Sequence, residues 1–191
     1  IGSSCMRKVR LLSRLAPGAL AAAIFFALPA VIDAAEAARA DAGGCARVHK
    51  AIENVVTTPA HAYTRETSSR RGATETETIY LDGKVYVLMK GRWMRSPDSS
   101  LQMVETLRQS RKHATLACKV IGEEKVGDRT ASVYATTRQT GDSKNESKLW
   151  IDKVSGLLLK QEEDLMAGAD NTVHRLTRYE YGNVTAPKLA E

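Results

Sequence analysis

From residue 115 onward the chain repeats one pattern, a β-prone run closed by a turn rich in glycine or aspartate. Leu116–Lys125 is followed by Gly127-Asp128, Arg129–Arg138 by Thr140-Gly141-Asp142, and Ser147–Lys153 by Ser155-Gly156. Leu157–Met166 then leads to Gly168-Ala169-Asp170-Asn171, and Thr172–Tyr181 ends the series. Connections this short cannot hold the crossover helices that parallel strands need, so the segment is confined to one antiparallel sheet, curled or closed.

The upstream half supplies more strands and two helices. Cys45, Val48, Ile52, Val55 and Val56 recur at helical spacing within residues 43–58, and Pro59 stops the run. Ala60–Ser68 and Thr74–Leu81 read as strands, and Asp82-Gly83 makes a two-residue hairpin turn into Lys84–Lys90. Gly91 turns the chain into Arg92–Ser96. A second helix is predicted over 99–112: Ser99 and Gln102 form a capping box, and Leu101, Val104 and Leu107 make a short apolar stripe. No repeat beyond the strand-turn rhythm and no linker divides the chain.

The beginning of the chain is organised differently. Residues 1–5 read as upstream residues or a cloning scar. Residues 6–40 have the order of a secretory signal peptide: Arg7, Lys8, Arg10 and Arg14, then the apolar run Leu15–Ile32, then Ala35-Glu36-Ala37 and Ala38-Arg39-Ala40 as cleavage sites. The rival reading, a membrane anchor, has to place Pro17 and Pro29 inside the span. Residues 41–191 are then a single domain of the periplasm. Five of the 28 basic and two of the 22 acidic residues lie in 1–40, so the net charge beyond them is only +3. Interleaved signs at that level make a solvated surface and exclude a nucleic-acid partner, which needs clustered basic residues. Peripheral contact with a membrane stays open through Arg70-Arg71 and Arg108/Arg111/Lys112. In an exported domain the pair Cys45 and Cys118 reads as a disulfide. The rival role for Cys45, the acylated cysteine of a lipoprotein, is disfavoured because it stands about a dozen residues beyond the apolar run.

Local signs of catalysis are missing from the sequence. His49, His61, His113 and His174 are not spaced as metal ligands, and no phosphate loop, nucleophile elbow or dinucleotide fingerprint occurs. Glu123-Glu124 and Glu162-Glu163 are sequence neighbours, so on strands they point to opposite faces and cannot share a proton. The expectation is therefore no catalytic residue, no metal and no cofactor. What stands out instead is an apolar surplus on both faces of the strands, at Ile79-Tyr80-Leu81, Val85–Met89, Leu149-Trp150-Ile151 and Leu157-Leu158-Leu159. A sheet covered on one side alternates apolar with polar. Apolar residues on both sides call either for cover on both sides or for an apolar cavity inside a curled sheet.

Lys148–Lys160 (KLWIDKVSGLLLK) resembles the strand-turn-strand signature of the periplasmic lipoprotein-carrier superfamily, the lipoprotein localisation factors and their relatives. The matching residues are Trp150, Ile151, Asp152, Gly156, Leu157, Leu159 and Lys160, and Tyr179–Val184 resembles the family's last-strand ending. The resemblance implies an α+β fold: a mostly antiparallel, strongly curved sheet or unclosed β-barrel, with an N-terminal helix and a second helix on its open side. It further implies an apolar lumen for a lipid, an acyl chain or a lipoprotein tail, and no catalytic residues. Val85, Val87, Met89, Trp93, Leu101, Val104, Trp150, Leu157 and Leu159 are the candidate lining residues. The alternatives are an interaction or regulatory module that holds an envelope protein partner without ligand and, more remotely, a hydrolase with dispersed residues.

Overall fold

The computed structural model describes residues 33–68, 70, 72–141, 143–166 and 172–189. Residues 6–32 of the predicted leader and the 168–171 turn lie outside the described residues. The elements run α1 (Asp33–Thr57), β1 (Ala60–Ser68), β2 (Gly72–Leu81), β3 (Lys84–Met89), β4 (Arg92–Arg95), α2 (Ser100–Lys112), β5 (Thr115–Val126), β6 (Arg129–Thr140), β7 (Ser143–Asp152), β8 (Leu158–Met166) and β9 (Thr172–Tyr181). The α1 helix begins ten residues before the predicted start at residue 43. Apolar periodicity does not mark that extension, but its alanines are the strongest helix formers available.

The nine strands form one sheet in the order β4-β3-β2-β1-β9-β8-β7-β6-β5. Every neighbouring pair is antiparallel. Strands adjacent in the sheet are consecutive in sequence except where β1 meets β9, in a register running from Ala60↔Tyr181 to Ser68↔Val173. That pairing joins the two hairpin series. The sheet ends at β4 on one side and β5 on the other, so it is not closed. This is the α+β unclosed barrel that the resemblance implied.

Strand alternation divides the apolar surplus between two faces. Leu149 and Ile151 of β7, Leu158 of β8, Tyr134 of β6 and Cys118 of β5 are buried with Val48, Ala51, Val55 and Val56 of α1 and Val104 of α2. Trp150, between Leu149 and Ile151, belongs to a second cluster with Ala131, Val133 and Leu159, against which Val126 and Tyr181 pack. A bulge sets the parity of β8. Trp150 pairs with Lys160 and Ile151 with Leu158, so Leu159 is the extra residue.

The α1 helix is tied to the sheet covalently. Cys45 and Cys118 form a disulfide with a Cα–Cα distance of 5.2 Å across 73 residues of sequence. The α2 helix packs chiefly on α1. It starts with the predicted capping box: the Gln102 backbone N–H donates to Ser99 Oγ at 3.3 Å and the Ser99 backbone N–H donates to Gln102 Oε1 at 2.7 Å.

Candidate functional site

The helix-bearing face of the sheet has two halves of different chemistry. Under α1 it is apolar and filled by the cluster around Leu149, Ile151 and Leu158. Away from the helices it is an open depression of about 270 Å³ lined by Thr64, Thr76, Thr78, Gln161, Thr177 and the charged Glu66, Glu163 and Arg175. Tyr80 and Tyr179 stand at the boundary, since they line this depression and also pack against the apolar cluster. Burial pushes both phenols up from their usual range. In the polar half Arg175 Nε donates to Glu66 Oε1 at 2.6 Å and its Nη1 donates to Glu163 Oε1 at 2.8 Å. Burial alone would lower the guanidinium's pKa, but the two carboxylates outweigh it and hold it above its usual value. The hydroxyls of Thr64 and Thr177 meet at 3.1 Å across the β1–β9 pairing.

A carboxylate clamp holds α2 onto α1. Glu53 of α1 accepts from Arg108 Nη2 at 3.2 Å and from Arg111 Nη1 at 2.6 Å, and Arg111 Nη2 also donates to the His49 carbonyl at 3.2 Å. Hydrogen bonding from Arg108, reinforced by Arg111, keeps the Glu53 carboxyl below its usual range despite partial burial. The His49 imidazole is lowered, by burial first and then by Arg111. On the apolar side α2 contributes buried Val104 and half-buried Met103 and Leu107. Between α1, α2 and β5 lies a smaller depression of about 190 Å³, lined in part by Ile52, Leu107, Arg111, Leu116 and Arg138.

The candidate lining residues are spread over several places. Val85, Val87 and Met89 share the helix-bearing face of β3, buried, half-buried and half-exposed in turn. Val104 plugs the core, whereas Leu101, one turn earlier, is 77% exposed. Trp93 pairs with Leu88 and so lies on the opposite face, edge-on to His61 with ring centroids 6.0 Å apart. Trp150 and Leu159 also belong to the opposite face. There the Trp150 indole N–H donates to Glu124 Oε2 at 2.8 Å, and Lys160 Nζ sits 4.1 Å above the ring. Leu157 is half-buried in the turn between β7 and β8. These nine residues do not converge on one cavity.

Sequence reasoning missed the threonine, glutamate and arginine floor. Its signal was the run Thr74–Thr78, in which threonines alternate with glutamates and so face one side. The Trp-Ile-Asp…Gly motif turns out to build a turn. The Asp152 carboxylate accepts from the Ser155 hydroxyl at 2.5 Å and from the backbone N–H groups of Val154 and Ser155 at 3.4 and 3.3 Å. Gly156 then takes φ +69°, a region that side chains other than glycine rarely adopt. His61 lies between Glu77 (2.8 Å) and Tyr63 (3.0 Å), and His174 contacts Asp164 at 2.8 Å. Among the described residues no group of three or more His, Cys, Asp or Glu side chains is placed to hold a metal ion.

No protein-family model and no curated protein matches this chain. Among solved structures it is similar to the Mycobacterium tuberculosis lipoprotein LppX, with 10% identity, 76% of this chain and 100% of the other covered, and a TM-score of 0.41. LprF from Mycobacterium bovis is similar at 7% identity over 80% of this chain and 98% of its own, with a TM-score of 0.42. A LolA superfamily protein from Nitrosomonas europaea is similar at 9% identity over 72% and 91% of the two chains, with a TM-score of 0.31.

Proposed function

We propose that this chain is a non-enzymatic binding protein of the periplasm that shelters one apolar chain, from a lipid or from an acylated protein, between its helices and the sheet. One observation carries the reading. The apolar half of the helix-bearing face is capped by two helices, of which α1 is fixed by the Cys45–Cys118 disulfide and α2 is held by a few side chains and the Glu53 clamp. The described interior is filled, so a guest enters by displacing α2 and taking the space that Val104, Met103 and Leu107 occupy. A guest that buries roughly 400 Å² of apolar surface gains about 10 kcal/mol, against the cost of moving α2 and ordering the chain. Export by the leader in residues 6–40 places the protein where such cargo crosses between membranes.

The filled interior also supports a second reading, an interaction module that holds an envelope protein without any ligand. Native mass spectrometry on protein purified from its host separates the two. The carrier reading expects a lipid mass on a fraction of the protein, and a larger fraction loaded in Glu53→Gln, in which α2 is released more easily. Repeated empty spectra for both forms, with no apolar dye bound by either, would overturn it in favour of the interaction module.

A further inference from the structure

The β3–β4 hairpin is unlike the rest of the sheet in charge and in exposure. Its twelve residues, Lys84 to Arg95, contain four basic residues and no acidic one. Lys84, Lys90, Arg92 and Arg95 are all exposed. Among the described residues none of the four has a carboxylate within ion-pairing distance, although Arg108, Arg111 and Arg175 elsewhere are each paired with one. Large apolar side chains stand beside the cations. Met89 is 50% and Met94 47% exposed. Met94 pairs with Val87 and Arg92 with Met89, so the methionines and Arg92 share one face at the sheet's open edge.

Basic residues on an edge strand commonly serve only to discourage pairing with another sheet. That role needs no exposed methionine pair, and it does not call for a charge of one sign along the whole hairpin. Cations interleaved with exposed apolar side chains match an anionic bilayer surface, where the charges meet lipid phosphates and the methionines enter the acyl boundary. We infer that the β3–β4 hairpin, with its Lys90–Arg92 tip, docks this protein on anionic phospholipid membranes. The surface lies apart from the helix clamp and does not depend on whether the protein carries cargo.

The test is binding of the full chain to vesicles of phosphatidylglycerol and phosphatidylethanolamine, compared with vesicles of phosphatidylcholine, with no cargo added. The informative quantity is the anionic-to-neutral ratio of the wild type against Lys90→Gln/Arg92→Gln/Arg95→Gln. Each basic residue near an anionic surface changes partitioning about five-fold, so the triple variant is expected to lose about a hundred-fold. Brominated phosphatidylglycerol gives a local readout, quenching a tryptophan put on the docking face by Met94→Trp (in a Trp93→Phe background) while the buried Trp150 is spared. Met89→Ser/Met94→Ser is expected to bind at low salt and to be washed off at high salt. An unchanged ratio in the triple variant would overturn the inference. So would vesicle-bound Met94→Trp/Trp93→Phe protein whose introduced tryptophan is not quenched, or equal binding of the hairpin to polyglutamate, which would point to an acidic protein partner.

Discussion

Asp152 shows how one side chain sets the geometry of two strands. Its carboxyl is almost fully buried, which pushes its pKa up, yet hydrogen bonds from Ser155 and the backbone N–H groups of Val154 and Ser155, with Arg129 Nη1 3.9 Å away, outweigh burial and hold it below the usual value. A carboxyl depressed in the folded state stabilises the fold above its unfolded pKa. That contribution disappears as pH falls through and below the ordinary value of 3.8. Asp152→Ala is expected to cost about 1–3 kcal/mol at neutral pH in a urea titration and little in strong acid, because a buried acceptor and its partners are lost together. Val154→Ala in the same turn, at a residue 95% exposed, is expected to change nothing. The sequence marked Trp150-Ile151-Asp152 as the feature to notice, but its role becomes visible only with the structure. Alternation puts Trp150 and Ile151 on opposite faces, but it does not say which of them meets the helices, and the bulge that puts Leu158 and Leu159 in different clusters is not marked in the sequence.

At the scale of elements the two helices differ in how firmly they are held. For α2, releasing Glu53 is the decisive change. Its pKa is depressed, so the clamp is complete at neutral pH and fails as pH falls through and below the ordinary 4.5. Glu53→Gln is expected to remove the ionic part of the bond to half-buried Arg111, about 1–2 kcal/mol, and to speed amide hydrogen exchange in Ser100–Lys112 while α1 stays protected. Ser100, at the head of α2, offers a change of opposite sign. It is 4% exposed and its hydroxyl has no hydrogen-bond partner among the described residues. Ser100→Ala removes that unsatisfied group and improves helix propensity, so the thermal midpoint is expected to rise, by the equivalent of about 1 kcal/mol. Element order was largely legible beforehand. The strands Ala60–Ser68 and Thr172–Tyr181 and the α2 capping box stand where hydrophobic pattern and cap chemistry put them. Two extensions were hidden. Asp33–Gly43 is helical through alanine propensity with no apolar stripe, and β7 starts at Ser143 in a polar run that pairing with β6 alone keeps extended.

At the scale of the molecule, two long-range links hold what the hairpins cannot. Antiparallel neighbours are local, but β1 and β9 pair residues 60–68 with 173–181 and join the two hairpin series into one sheet. The Cys45–Cys118 disulfide ties α1 to β5 at the far edge, across 73 residues. The helix therefore cannot leave the sheet while the bond is intact, and α2 packs mainly on α1, with the Ser100 backbone N–H donating to the Gly83 carbonyl at 3.0 Å as a further tie. A loop of this length removes enough freedom from the unfolded chain to stabilise the fold by about 4 kcal/mol in the chain-entropy account. Cys45→Ser/Cys118→Ser is expected to lose an amount of that order in chemical denaturation. If α1 is the fixed wall against which cargo is held, the same variant also releases apolar dye or lipid more readily, because both helices are then free to move. Glu53→Gln is expected to increase loading and to keep most of the stability, so the two variants should separate a movable α2 from a detachable α1. Equal effects of both on stability and on loading would mean that the helices move as one body.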